Sequence, residues 1–172
     1  MSSADNEAGG RPPIIVNQAD VPETTRTIGD HWGASYKTLT PSMRARGGAL
    51  GINMMRLPSG HTTCPFHHHR REDEAFYVLS GRGVLRYGDA LHPIGPGDCV
   101  ACPAGTGVAH QIANPHDEDL VYLAIGSHDP DEVCVYPDSG KVMVRSLQTV
   151  GRLEATAYLD GEGERPKVFA LL

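Results

Sequence analysis

The sequence predicts an all-β protein built as a sandwich or barrel of packed sheets. Many short apolar runs are separated by turn-forming residues, and the chain contains 20 glycines and 13 prolines. No long window shows the 3.6-residue periodicity of an amphipathic helix. With 172 residues, of which 40% are hydrophobic, the chain is long enough for one domain with a sizeable core.

The apolar runs predict the strands in chain order, because they are rich in β-branched and aromatic residues. We divide the chain into a flexible tail (1–12), an N-terminal arm with the first strands (13–48), a barrel (49–147) and a C-terminal arm (148–172). No internal repeat is visible, which indicates a single copy of the barrel. The predicted strands are ALGINMMRL, HTTCPFH, EAFYVLS, GVLRYG, DCVACP, HQIAN, DLVYLAIGS and KVMVRSL.

Composition argues against two classes of partner. The net charge is −6 and no large lysine or arginine cluster occurs, so we expect no nucleic-acid binding. No apolar stretch approaches the ~20 residues of a membrane helix, and the N-terminus lacks the basic and apolar segments of a signal peptide. We therefore expect a cytoplasmic protein, in which the four cysteines stay reduced and Cys99 and Cys102 serve as buried small hydrophobes.

Three histidines and one glutamate form the strongest functional pattern. His67 and His69 are two residues apart, so on a strand they share a face; Glu74 and His110 each begin a later predicted strand. Imidazole with one carboxylate suits one divalent transition metal ion, namely Fe, Mn, Ni, Zn, Cu or Co, better than Ca or Mg. A solvated histidine patch beside an acidic turn is the simpler alternative.

The spacing around these residues resembles the paired motifs of the cupin superfamily. The first motif runs from Gly60 through His67-x-His69 and Glu74 to Gly81, and the second comprises Gly97, Pro103-x-Gly105, His110 and Asn114. Two loop spacings are longer than in the family pattern. The similarity covers roughly residues 49–127 and, more narrowly, points to small single-domain bacterial cupins. It implies a jelly-roll barrel, also called a double-stranded β-helix, with His67, His69, Glu74 and His110 as metal ligands.

Alternation along the strands nominates residues of a substrate pocket. Phe76 shares a face with Glu74, and Ile112 shares one with His110, so both are predicted to line the pocket. An arginine inside the barrel would favour an anionic substrate, and Arg56 is the candidate. The pattern assigns no catalytic residues.

The resemblance implies several functions for such a metal site. A dioxygenase acting on a small polar or oxygen-bearing metabolite is favoured, and a metal-dependent isomerase or lyase of a small acid or sugar uses the same ligands. A non-catalytic small-molecule binding module is a third class, disfavoured because no helix-turn-helix accompanies the barrel. A structural or storage role would need none of these ligands. We also expect a homodimer, with Trp32 in an arm that contacts the barrel or the second subunit.

Overall fold

The computed structural model describes residue 12 and residues 14–172, apart from the side chain of Arg44, and most of this region is β-structure. The predicted flexible tail lies outside the described residues except for residue 12. One short helix, α1 (Pro41–Arg44), is accompanied by 3-10 turns at Gln18–Asp20, Pro137–Ser139 and Lys167–Ala170. The strands are β1 (Thr24–Ile28), β2 (Trp32–Thr38), β3 (Leu50–Leu57), β4 (His68–His69), β5 (Glu74–Ser80), β6 (Gly83–Tyr87), β7 (Ala90–Ile94), β8 (Cys99–Cys102), β9 (His110–Ala113), β10 (Leu120–Ser127), β11 (Val133–Tyr136), β12 (Lys141–Val144) and β13 (Thr149–Gly151).

The strands form three antiparallel sheets. The largest has the order β1-β2-β3-β10-β5-β8, and β10 pairs along its length with both β3 and β5. The two smaller sheets have the orders β13-β12-β11-β4 and β7-β6-β9. An isolated backbone bridge between His67 and His110 connects the segment before β4 to β9, and so connects the smaller sheets. The all-β jelly-roll architecture expected from the sequence is therefore confirmed.

One cluster of buried side chains fills the space between the sheets. On β5 the residues alternate as predicted: Phe76 and Val78 are buried, whereas Tyr77 and Leu79 are exposed. β10, an interior strand of the large sheet, contributes two of the most deeply buried residues, Leu120 and Tyr122. The main members of the cluster are Leu57, Phe76, Val78, Leu85, Ile94, Ile112, Leu120 and Tyr122.

One prediction about the strands was wrong. The HTTCPFH run is a series of bends, in which Thr62 and His67 form isolated bridges and regular pairing begins only at β4. Pro65 explains this, since it has no N–H to donate to a neighbouring strand. The N-terminal arm contains the β1–β2 hairpin, which extends the large sheet beyond β3. Cys102 is buried as expected, but Cys99 is exposed.

The turn between β5 and β6 depends on Gly81. Its φ of +77° lies in the left-handed region, and a Cβ there would be 2.2 Å from the carbonyl oxygen of Asp119. The glycine therefore lets the end of β5 pass directly beside the start of β10. None of the helices formed by residues 14–172 has the length and apolar character needed to cross a lipid bilayer.

Candidate metal centre

The main chain brings the predicted ligands together from three parts of the fold. His69 lies on β4, Glu74 begins β5 and His110 begins β9. His67 precedes β4, and its backbone exchanges two hydrogen bonds with that of His110, with N···O distances of 3.1 and 2.8 Å. Two of the four candidate ligands are thus held in register by backbone pairing.

The side chains of these residues converge on one oxygen atom. Oε2 of Glu74 lies 2.9 Å from Nε2 of His110, 3.2 Å from Nε2 of His69 and 3.6 Å from Nε2 of His67. His67 and His110 are buried, and Glu74 and His69 are partly buried. The ligand atoms of His67, Glu74 and His110 all lie within 4.8 Å of one another, a spacing that a single ion can span.

The far side of two rings is already fixed by hydrogen bonds. Nδ1 of His67 lies 2.8 Å from the carbonyl oxygen of Pro65, so it carries the proton and donates. Nδ1 of His69 lies 3.2 Å from Oε1 of Glu132 and donates likewise. Both Nε2 atoms are therefore left with a lone pair that faces Glu74 in the neutral ring. Nε2 of His69 is buried, and its 3.2 Å contact with Oε2 of Glu74 lacks the geometry of a hydrogen bond, so this atom has no hydrogen-bond partner among the described residues, which fits a metal ligand.

Glu74, His67 and His69 shift one another's pKa values. Burial lowers the pKa of His67, but hydrogen bonds to Cys64 and Glu74 outweigh burial and raise it to about 11. Burial also lowers the pKa of His69, but the close contact with Glu74 and the negative charge of that carboxylate together outweigh burial and raise the pKa. For Glu74, burial raises the pKa, yet hydrogen bonds from His110, His67 and His69 bring it well below the ordinary range. The carboxylate is thus ionised and ready to serve as an anionic ligand.

Other donors near the histidines are less suited to an ion. Cys134 lies within the same 4.8 Å range of His67 and His69, but burial raises the pKa of its thiol, so the cysteine is a poorer ligand than the ionised Glu74. Glu72 and Glu132 lie on the Nδ1 side of His69. Their oxygens already accept hydrogen bonds from Arg145 and from the backbone of Asp129, Arg70 and Arg71.

Sequence reasoning missed the supporting residues on this side. Glu132 is fully buried and Glu72 nearly so, although both stand in acidic runs typical of solvated loops. Their burial follows from the pairing of β11 with β4, which brings the start of β11 against His69. The one available signal was that Glu132 directly precedes the apolar VCVY run.

A cavity of about 390 Å³ opens above the four predicted ligands. Phe76 and Ile112, the predicted pocket residues, both line it. Arg56 does not: it lies on the surface, where it pairs with Glu23 and Asp119 at 3.3 Å each. The arginine that the fold places in the cavity wall is Arg145.

Two phenols also line the cavity. Burial raises the pKa of Tyr122, although a hydrogen bond with Thr63 opposes the shift. Burial also raises the pKa of Tyr136. Both hydroxyls therefore stay protonated at neutral pH and can donate hydrogen bonds to a ligand oxygen.

Comparison with known proteins agrees with this architecture. The family model of the cupin domain matches residues 53–126, which include all four candidate ligands. The chain is 37% identical over 71 residues to an oxalate-binding protein of Thermotoga maritima, covering 41% of this chain and 56% of that protein. It is 31% identical over 137 residues to auxin-binding protein 1 of Arabidopsis thaliana, covering 73% and 65%. The matches thus span less than two thirds of either relative.

Solved structures extend the similarity over most of the chain. A candidate sugar phosphate isomerase from Acidithiobacillus ferrooxidans superposes with a TM-score of 0.71 and 26% identity, covering 84% of this chain and 97% of that one. A sugar phosphate isomerase of the cupin superfamily from Silicibacter pomeroyi gives 0.69 and 27%, covering 83% and 96%. The sheet topology, the family-model match and these structures together establish that the chain belongs to the cupin superfamily.

Proposed function

We propose that the protein is a metal-dependent enzyme acting on a small oxygen-bearing metabolite. The ion would be held by His67, His69, Glu74 and His110. The observation that carries this proposal is the convergence of three Nε2 atoms on Oε2 of Glu74, at 2.9, 3.2 and 3.6 Å, beside a cavity of about 390 Å³. The donor set suits a divalent transition metal, and its identity depends on availability and geometry.

A bound ion would act as a Lewis acid on substrate oxygens or, if redox-active, would support oxygen chemistry. The residues of the chain contribute orientation and shielding. Phe76, Ile112 and Met55 form an apolar wall that limits the access of water. The hydroxyls of Tyr122 and Tyr136 line the same cavity and can donate hydrogen bonds that fix a substrate carbonyl or hydroxyl group.

Of the two reaction classes, we propose an isomerase or lyase of a small acid or sugar ahead of a dioxygenase. The similarity to sugar phosphate isomerases and to an oxalate-binding protein supports substrates of this chemistry. The dioxygenase favoured by the sequence alone is the alternative, since the same four ligands accept iron, manganese or copper. A binding protein without turnover is the third candidate for the same site.

The first test is the metal content of purified protein by elemental mass spectrometry. We expect about one equivalent in the wild type and a loss of most of it in His110→Ala, because one of four ligands is removed. His92→Ala is the matched control, since His92 is exposed on β7 and does not line the cavity. Equal metal content in all three proteins would contradict the proposed metal centre.

Reaction class follows from two assays on the loaded protein. An isomerase should interconvert aldose and ketose phosphates, as seen by proton NMR, without consuming oxygen. A dioxygenase should consume oxygen with its substrate in an electrode cell. Stoichiometric binding of small acids with neither reaction would establish the non-catalytic binding module instead.

We also propose a cytoplasmic homodimer. All four cysteines are free, which suits a reducing compartment. Residues 152–172 are exposed throughout, with Leu153, Tyr158 and Leu159 among them, and Trp32 is 44% exposed. Such apolar side chains are typical of a surface covered by a second subunit. Cell fractionation tests the location, and a monomer by light scattering at micromolar concentration would overturn the dimer.

A further inference from the structure

A second cavity, of about 500 Å³, adjoins the candidate metal centre. Five residues line both cavities: Asn53, Glu72, Glu74, Ala124 and Arg145. The two spaces therefore meet at this shared wall. Arg145 and the four candidate metal ligands border the same cavity of about 390 Å³, so one small ligand can contact both.

Arg145 is held rigidly but is not saturated. Its backbone N–H donates to the carbonyl oxygen of Glu132 at 3.0 Å, just after β12 ends. In the side chain, Nη2 donates to Glu72 at 2.6 Å and Nη1 donates to Nδ1 of His128 at 3.0 Å. A guanidinium carries five N–H donors. Nε is buried and has no hydrogen-bond partner in the described part of the chain, and Nη1 and Nη2 each keep a second N–H, so the guanidinium in the shared wall retains unused donors.

Asn53 adds a second donor to the same wall. Its Oδ1 accepts a hydrogen bond from the hydroxyl of Thr38 at 2.9 Å, which fixes the orientation of the amide. The amide nitrogen is then left for a ligand. A guanidinium fork beside an amide N–H₂ group is the donor pattern that matches the oxygens of a carboxylate or phosphate.

The charges allow an anion in this space. Glu72 is paired with Arg145, and the two charges of a divalent ion would offset Glu74 and Glu132, so the loaded site carries no excess negative charge that would repel an anion. The two ends of the space also differ in chemistry. One end presents the metal ligands, and the other presents nitrogen donors.

We propose that Arg145, assisted by Asn53, binds a carboxylate or phosphate group of the substrate while the oxygens at the other end of the substrate reach the metal centre. This inference rests on the proposed function and narrows its substrate class to small organic anions with two oxygen-bearing ends. Arg145 is a specificity residue in this scheme, and it has the role that we predicted for Arg56 from the sequence.

The test compares matched ligands on the zinc-loaded protein by calorimetry. Lactate and malate share a 2-hydroxycarboxylate, and malate adds a carboxylate; glycerate and 3-phosphoglycerate differ by a phosphate. We expect the second member of at least one pair to bind about tenfold tighter or more, as charge-assisted bidentate contacts allow. The pair whose second member binds more tightly shows whether the subsite prefers a carboxylate or a phosphate.

Variants then assign the advantage to Arg145. In Arg145→Gln, the ratio of the affinity for the second ligand of a pair to that for the first should fall close to one. The zinc content and the affinity for lactate or glycerate should stay unchanged. Arg145→Lys should retain part of the ratio, because it keeps the charge but loses the fork, and it serves as the test if the glutamine variant does not fold. Arg56→Gln is the control and should keep the full ratio, since its side chain lies on the surface.

The outcomes separate this inference from the proposed function. A ratio near one in the wild type, or a full ratio in Arg145→Gln, overturns the role of Arg145 even if zinc binds. If the wild type takes up no zinc, the proposed metal centre fails. Inorganic phosphate is then titrated into the metal-free proteins, where weaker binding to Arg145→Gln supports the subsite and equal binding overturns it.

Discussion

Glu132 supports His69 from behind, with 3.2 Å between its Oε1 and the ring Nδ1. The carboxylate is fully buried and also accepts the backbone N–H groups of Arg70 and Arg71, at 2.9 and 2.8 Å. A carboxylate in this position fixes the ring orientation and the tautomer that turns Nε2 toward a metal. The residue that directs His69 thus lies 63 positions away in the sequence.

Glu132→Gln should weaken metal binding about 10- to 100-fold, the usual cost of losing such a partner. The amide presents one acceptor oxygen where two were used, so His69 loses its anionic support. Chelator competition measures the affinity, and circular dichroism checks the fold. Glu118→Gln is the control, because Glu118 is exposed and pairs only at the surface with Arg82 at 3.6 Å. Unchanged affinity in a folded Glu132→Gln protein would contradict this role.

Metal binding should release about one proton or more from the protein at pH 8. The raised pKa of His67, about 11, means that the metal-free protein carries a proton there at pH 8, whereas a ligand must be neutral. The apparent affinity should therefore rise with pH and fall as the pH drops through the neutral range. Calorimetry in two buffers of different ionisation enthalpy measures the proton count. Heats that do not depend on the buffer would refute this prediction.

Gly81→Ala should destabilise the fold by several kcal/mol. The substitution combines a left-handed backbone, costing about 1–2 kcal/mol, with a methyl group 2.2 Å from the carbonyl oxygen of Asp119. Gly140→Ala is the matched control: its φ is +61° but no atom lies within 4 Å of the added Cβ. Urea unfolding of both variants separates the steric term from the conformational one. Equal losses would show that the close approach to Asp119 costs nothing.

Much of the fold could be predicted from local pattern. The EAFYVLS run is β5 from its first residue to its last, because alternation of buried and exposed side chains sets both its period and its inner face. The segment before β4 could not be predicted in this way. It follows the shape imposed by Pro65 and by its bridges to β9, and those contacts join residues far apart in the chain.

The candidate site also contains residues that local sequence pattern could predict and residues that it could not. His67, His69, Glu74 and His110 could be chosen from residue type and spacing, and the fold places their side chains together. Arg145 and Glu132 could not. Arg145 is a single arginine near the end of the predicted strand KVMVRSL, with no signal of the face that it occupies, and Glu132 belongs to an acidic stretch that looks solvent-facing in the sequence. Only the pairing of β11 with β4 and with β12 brings those charges against His69 and the cavity.

The backbone bridge between His67 and His110 has a mechanical consequence. It lies on the seam where the two smaller sheets meet, and the ends of both histidine side chains reach the same carboxylate. An ion at that point would cross-link the two smaller sheets. Because it would bind the folded state, its binding free energy would add to the free energy of unfolding. That half of the barrel would then become more rigid when the ion is bound. In the metal-free protein, local unfolding would begin where the two smaller sheets meet.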